Sequence, residues 1–267
     1  MDGYPIAYVE AGTRLPALVL VHGSMIDYRS FQSQVGPLSA HARTIAASLR
    51  HSYPERWDGR GDDFSVDRHA DDLGELIGRL GLRAVHLLGH SRGGAVALQL
   101  ALRRPSLVRT LILADPGGLD GLLPDTPEGR AMARETVTMF AKLRANLAHG
   151  DEVAAARGFV DDLNGPGAWE RRSDEQRRIM LDNIRTGPAC AERPAFTAAQ
   201  VASLAMPILA ITGERSPARY RTMFDAMRAL NRNVSPTVTI AGAAHAMHRE
   251  APAAFNAAVV DFLTAHG

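Results

Sequence analysis

The residues best suited to chemistry are a serine, two histidines and an aspartate, each close to the end of an apolar run. Ser91 sits in Gly89-His90-Ser91-Arg92-Gly93-Gly94, after Val85-His86-Leu87-Leu88 and before a small-residue stretch that begins Ala95-Val96-Ala97. Glycines at 89 and 93 flank it without a Cβ, so the turn can tighten and strand and helix can close up behind the serine. A serine presented on such a turn is placed for nucleophilic attack. That chemistry needs a base within hydrogen-bond reach, an acid that holds the base in the right tautomer, and two N–H donors for the developing oxyanion. His245 follows Gly242-Ala243-Ala244 on a small-residue loop, and His248 lies three residues on, so both are base candidates and the small residues favour His245. Asp115 closes the apolar run Val108 to Ala114 and is followed by Pro116. An aspartate at the C-terminal end of a parallel strand lies on the edge where open α/β sheets bind ligands. Before proline it can equally be a plain turn former.

The elements that must position these residues are legible in the hydrophobic pattern. Tyr4 to Glu10 alternates as an edge strand does, and Ala17 to Val21 is the continuous apolar run of a strand covered on both faces. Further strands are expected at Arg43 to Ala47, Ala84 to Leu88, Val108 to Ala114, Pro207 to Thr212 and Thr237 to Ile240. Asp67 is placed to cap a helix striped by Leu73, Leu76, Ile77 and Leu80, with Gly81 as its stop. The helix after Ser91 runs from Ala95 to Arg104, where Pro105 closes it, and Pro252 opens the last helix. From Leu119 to Leu204 the strand signals vanish. Helices are expected there at Glu128 to Leu147, Glu152 to Leu163 and Asp174 to Ile184, with capping boxes at Ser173/Gln176 and Thr197/Gln200.

Size and charge narrow the class. A chain of 267 residues with 46% apolar and 22% charged residues is ordinary for a globular enzyme, with no repeat or long linker. Thirty basic against twenty-nine acidic residues, with no basic cluster, point to no nucleic-acid or anionic-membrane partner. The single cysteine, Cys190, has no intrachain disulfide partner and no CxxC spacing for zinc, so no metal site is expected and a reducing compartment is the simpler reading. The N-terminus lacks the basic start and apolar core of a signal peptide, and Leu15 to Val21 is too short to span a bilayer. A cytoplasmic protein acting on a small molecule is expected, its oligomeric state open.

The glycine-flanked serine turn, the His22-Gly23-Ser24 stretch that closes an early strand, and a late histidine together resemble the α/β-hydrolase family over nearly the whole length. The resemblance implies a mostly parallel central sheet with helices on both faces, built from residues 1–118 and 205–267, and an inserted all-helical cap at 119–204. It implies an oxyanion hole formed by the backbone N–H groups of Ser24 and Arg92, and the chain order serine, acid, histidine. Many relatives carry an aspartate in a GxxD turn after the strand corresponding to Pro207 to Thr212. This chain reads Gly213-Glu214-Arg215-Ser216, and Ser216 cannot carry that charge. Other relatives supply the acid one strand earlier, which assigns the role to Asp115 and leaves Glu214 as the alternative.

Cap residues shape substrate choice in such folds. Tyr28, Phe140, Trp169 and His248 are candidate pocket residues, and Met139, Phe159, Met180 and Phe196 belong to the same apolar set, with cap packing as the competing role of each. The Arg92 side chain either contacts a polar substrate group or forms a surface ion pair. His51 either approaches the pocket or serves as a surface or loop-stabilising residue, the commoner role. The expected activity is hydrolysis of a small carboxylic ester or lactone through an acyl-enzyme on Ser91, without a cofactor. Carbon–carbon bond hydrolysis or a cofactor-free perhydrolase or haloperoxidase reaction could use the same apparatus. Related dehalogenases and epoxide hydrolases use an aspartate nucleophile, which Ser91 disfavours. A small-molecule receptor with slow or no turnover is the reading from another class, kept open by Ser216.

Overall fold

In the computed structural model, which describes residues 3–267, the continuous apolar runs form the middle of a seven-stranded sheet. The strands are β1 (Tyr8–Ala11), β2 (Leu18–Val21), β3 (Thr44–Ala47), β4 (Val85–His90), β5 (Val108–Ala114), β6 (Ile208–Gly213) and β7 (Val238–Ile240). Their order is β1-β3-β2-β4-β5-β6-β7, antiparallel only where β1 meets β3. Every residue of β2, β3, β4 and β6 is buried, as expected of parallel strands covered on both faces. The first strand begins four residues later than the alternation from Tyr4 suggests, because only Tyr8 to Ala11 pair with β3.

The helices are α1 (Gln32–Leu38), α2 (Val66–Arg79), α3 (Arg92–Arg103), α4 (Pro127–Ala148), α5 (Glu152–Asn164), α6 (Asp174–Asp182), α7 (Ala198–Ser203), α8 (Ala218–Leu230), α9 (Met247–Glu250) and α10 (Pro252–His266). Two apolar layers flank the sheet. One joins α2, α3 and α8 to one face; the other joins Leu38, Phe255, Val259 and Phe262 to the opposite face. The cap of α2 is Ser65, whose hydroxyl accepts from the Arg68 N–H, and Asp67 sits inside the first turn instead. An extended Ser65 with a hydroxyl in reach of N3 fulfils the capping geometry two residues before the aspartate. Both expected capping boxes form.

Between β5 and β6 the described chain forms helices and turns only. α4, α5 and α6 make a third apolar cluster around Phe140, Phe159, Val160 and Trp169, which also takes in Met25, Ile26 and Phe64 from the loops beneath. This cluster is held down by polar contacts to the sheet side: Asn183 Nδ2 donates to Asp27 Oδ2 at 2.7 Å, Asn183 Oδ1 accepts from the Tyr53 N–H at 2.7 Å, and Arg29 bridges Asp27 and Asp182. The ends of the segment return to the sheet: Leu119, Phe196, Val201 and Leu204 pack in the layer on α2 and α3.

The β4–α3 turn is tightly packed. Ser91 has φ 54° and ψ −121°, a left-handed conformation strained for a residue with a side chain. A Cβ on Gly93 would lie 2.2 Å from the Val21 carbonyl oxygen, and one on Gly89 would lie 2.3 Å from the Gly93 carbonyl oxygen. Backbone stands against backbone at both positions, so nothing flexible can move away. Gly93→Ala is therefore expected to cost about 3 kcal/mol or more, the upper range for overpacking. A fall in the urea midpoint at unchanged m-value would report it.

Candidate active site

Three strand ends bring the predicted residues together. β4 delivers Ser91, whose N–H donates to the Ala114 carbonyl at 3.0 Å while its own carbonyl accepts from the N–H groups of Gly94 and Gly117. β5 delivers Asp115, fully buried and also at positive φ, 44°. The loop after β7 delivers His245. Its Nδ1 lies 3.1 Å from Asp115 Oδ2. Ser91 and His245 line one cavity with Gly23, Ser24 and Ile26. Among the cap residues, Phe159, Val160, Leu163 and Met180 close it with an apolar wall.

Ser216 joins the aspartate at the end of β5 to the turn after β6. Its hydroxyl accepts from the Gly213 N–H at 3.2 Å and donates to Asp115 Oδ2 at 2.6 Å, so the serine at the expected acid position steadies the carboxylate that sits across from it. Burial pushes the Asp115 carboxyl up to about 7, and the Ser216 hydrogen bond pulls the other way. Burial pushes His245 down to about 3, with Arg219 and Arg249 nearby adding to the same direction. An imidazole held neutral can accept a proton.

His90 was not singled out by its spacing, yet it supports the histidine loop. Its Nε2 donates to the His245 carbonyl at 2.8 Å, which fixes its tautomer, and its ring packs 4.8 Å from that of His245. Tyr220 of α8 stacks on the other side of the His245 ring at 5.0 Å and 16°. The Ala246 N–H donates to Asn164 Oδ1 at the end of α5, tying the histidine loop to the cap. Adjacency to Ser91 was the one available signal for His90; for Tyr220 and Asn164 the sequence carried none.

On the opposite side, the Leu49 N–H donates to His22 Nε2 at 2.8 Å, which leaves the proton on Nδ1 to bond the Gly23 carbonyl. Burial lowers His22 to about 4, so the ring stays neutral in this role. That contact fixes the turn leading to Ser24. Arg92 is the first residue of α3, which places its N–H at a helix N-terminus beside Ser91.

Several expected positions fall elsewhere. The Arg92 side chain is neither a surface ion pair nor a residue lining the cavity. It is 1% exposed, donates from Nη1 to the Glu192 carbonyl at 3.0 Å and lies 4.6 Å over the Phe64 ring, because the cap closes over the start of α3. Glu214 is exposed and its Oε2 accepts from the Gly242 N–H at 2.7 Å, so it braces the turn after β7. His248 is buried behind the site between His90, Phe31 and Phe255, since one turn of α9 carries it inward. Tyr28 pairs with Tyr53, 6.2 Å away, outside the cavity lining. Phe140 packs on Phe159 within the cap, and Trp169 is buried there beside Arg177; neither reaches the lining. His51 braces its own loop through Glu55 and Asp63 and stacks on Trp57.

With this geometry in view, the comparison with known proteins is direct. Residues 18–258 match the alpha/beta hydrolase family, and the chain belongs to it. A thermophilic esterase from Thermogutta terrifontis superposes with a TM-score of 0.78 at 24% identity, covering 98% of this chain and 94% of that one. The enol-lactonase from Burkholderia xenovorans LB400 gives 0.72 at 22% identity, covering 97% and 96%. Both share the fold. The matches to curated relatives are partial: the soluble epoxide hydrolase of Corynebacterium sp. (strain C12) is 32% identical over 121 residues, 43% of this chain and 39% of that protein. Among the described residues no cluster of side chains could hold a metal ion, and no helix is long and apolar enough to cross a membrane.

The Ser216 contact yields a measurable consequence. Removing the hydroxyl in Ser216→Ala leaves the Asp115 carboxylate with one donor fewer, which favours its protonated form. A hydrogen bond to a charged group contributes about 1.5–3 kcal/mol, so proton affinity of the Asp115–His245 pair rises about ten- to a hundredfold. The titration midpoint of the pair, followed through the His245 ring resonances, is expected to move to higher pH; an unmoved midpoint would show that Ser216 does not steady the carboxylate.

Proposed function

We propose that this hydrolase cleaves a small carboxylic ester or lactone through an acyl-enzyme on Ser91. The observation that carries the reading is the convergence of Ser91 and His245 on one cavity, with Asp115 behind the imidazole at 3.1 Å. His245 takes the Ser91 proton through the ring nitrogen that faces away from Asp115 as the serine oxygen attacks the acyl carbon. Asp115 holds the ring and stabilises the imidazolium that forms. The N–H groups of Ser24 and Arg92 receive the oxyanion, and each such donor contributes about 3 kcal/mol to the transition state. His245 then protonates the leaving alcohol, activates a water against the acyl-enzyme, and the acid departs. These steps call for no metal or cofactor.

The apolar wall of Phe159, Leu163 and Met180 suits an acyl chain, and the enclosed space beside Ser91, about 30 Å³, suits a small one. Peroxide in place of water, or a carbon leaving group in place of the alcohol, would use the same residues. The reading of a receptor without turnover rests on the missing acid at Ser216; the carboxylate of Asp115 beside His245 supports turnover over that reading. A reducing, cytoplasmic setting suits the single buried cysteine.

Wild-type protein is expected to hydrolyse p-nitrophenyl acetate or butyrate and to take a fluorophosphonate label, both lost in Ser91→Ala. Asp115→Asn should lower kcat by about 10⁴, the scale seen when the acid of a serine triad becomes an amide, while Glu214→Gln should stay within about twofold, as for a surface change away from special features. Equal rates in wild type and Ser91→Ala would overturn the assignment of the nucleophile, and full activity in Asp115→Asn would overturn that of the acid.

A further inference from the structure

Two arginines stand at the mouth of the candidate site with buried nitrogens that make no hydrogen bond among the described residues. Arg172 comes from the cap, just before α6, and Arg249 from α9, four residues after His245. Both line the cavity that holds Ser91 and His245. Both also line an outer cavity of about 300 Å³ on its far side, together with Asn164 and Ala246. The arginine pair is therefore the partition between an outer vestibule and the small space beside Ser91.

The nitrogens on this partition are unsatisfied. Arg172 Nη1 and Arg249 Nε and Nη1 are buried and have no hydrogen-bond partner among the described residues. Two acids lie near enough to attract the pair, Glu250 both arginines and Asp161 Arg172, but neither hydrogen-bonds these nitrogens: Glu250 Oε2, on the wall of the outer cavity, accepts from the Ala244 N–H at 2.8 Å and faces Arg215 at 3.5 Å, and Asp161 accepts from the N–H groups of Gly167 and Trp169. Burial lowers Arg172 to about 8, with Arg249 adding to it, and lowers Arg249 to about 10. A desolvated cation whose nitrogens touch no carboxylate is costly, and two side by side repel one another. An anion bound to these nitrogens would offset both costs.

We propose that Arg172 and Arg249 bind a carboxylate of the substrate, so that the ester or lactone cleaved at Ser91 carries a second, ionised acid group a few bonds from its scissile carbonyl. This rests on the serine-hydrolase reading for the scissile bond and on the partition for the anion. The guanidinium fork matches a carboxylate bidentately and uses the nitrogens now lacking partners. The distance follows from the layout: a group held against the partition from the vestibule abuts the space beside Ser91, which leaves room for only a short linker. The apolar residues of the inner cavity then face the carbon chain between the two functional groups.

The test uses monomethyl esters of malonic, succinic and glutaric acid against neutral methyl esters of the same shape, in which an isopropyl group replaces the carboxylate. Hydrolysis is followed by pH-stat. For at least one chain length the anionic ester is expected to exceed its neutral counterpart in kcat/KM, and that ratio should fall about ten- to a hundredfold in Arg172→Met and in Arg249→Met, the effect of losing a charge-assisted hydrogen bond. A wild-type ratio at or below one across the series, or a ratio unchanged in both variants, would overturn the proposal. Calorimetric binding of malonate, succinate and glutarate to Ser91→Ala separates the anion site from turnover. Binding of one of them, lost when Arg249→Met is added, supports the site even if no ester is cleaved and Ser91 resists labelling, in which case the hydrolase reading alone fails. No binding overturns the site, and tighter binding of inorganic phosphate than of any dicarboxylate overturns the carboxylate assignment. Thermal melting guards against misfolding: an unpaired buried charge opposes folding, so Arg249→Met should melt at or above the wild-type midpoint, whereas a lower midpoint together with an unchanged ratio would mark a purely structural arginine.

Discussion

Backbone packed against backbone at the end of β4 is the constraint on which the candidate site depends. With Gly93 against the Val21 carbonyl and Gly89 against Gly93, α3 leaves the sheet at once, and Ser91 is forced into a left-handed conformation with its side chain facing the cavity. The carbonyl of Ser91 is then held by Gly94 and Gly117, so the turn between β5 and the cap is fixed to the same point. Strain at one residue is tolerated because the surrounding contacts over-determine it. The neighbouring strand end repeats the device, since Asp115 too has positive φ.

Asp115 and Ser216 meet where the ends of two neighbouring strands come together. A base on the loop after β7 can be reached from the end of β5 or the end of β6, because the two strands are hydrogen-bonded neighbours in register. The chain places the charge on β5 and a hydroxyl on the loop after β6, and joins them at 2.6 Å. Ser216 thus occupies the expected acid position as a donor to Asp115. Burial in this setting opposes ionisation of Asp115 and protonation of His245, and the hydrogen bond from Ser216 counters the first effect by favouring the ionised carboxyl.

The cap does two kinds of work with different chemistry. Its interior is apolar and holds the aromatic residues Phe140 and Trp169 away from the cavity. Its rim is cationic, and there the packing leaves arginine nitrogens without partners.

Periodicity and turn chemistry were enough for the strands, the long helices, the serine turn and the histidine loop, because each is written in local residue order: apolar runs, glycines around Ser91, small residues before His245. The family resemblance added the order in which these parts meet and the two backbone donors. What the sequence could not show is which side chain closes which distance. Asp115 and Glu214 were both open as the acid, and only the register of β5 beside β6 puts one against His245 and the other on the Gly242 N–H. Tyr28, Phe140, Trp169 and His248 had the right types for a pocket, yet the packing of their elements turns them away from it, while Arg172 and Arg249 carried no local signal and became wall residues by tertiary contact. Side-chain type and spacing are properties of the chain, whereas burial without a partner arises only when distant segments come together.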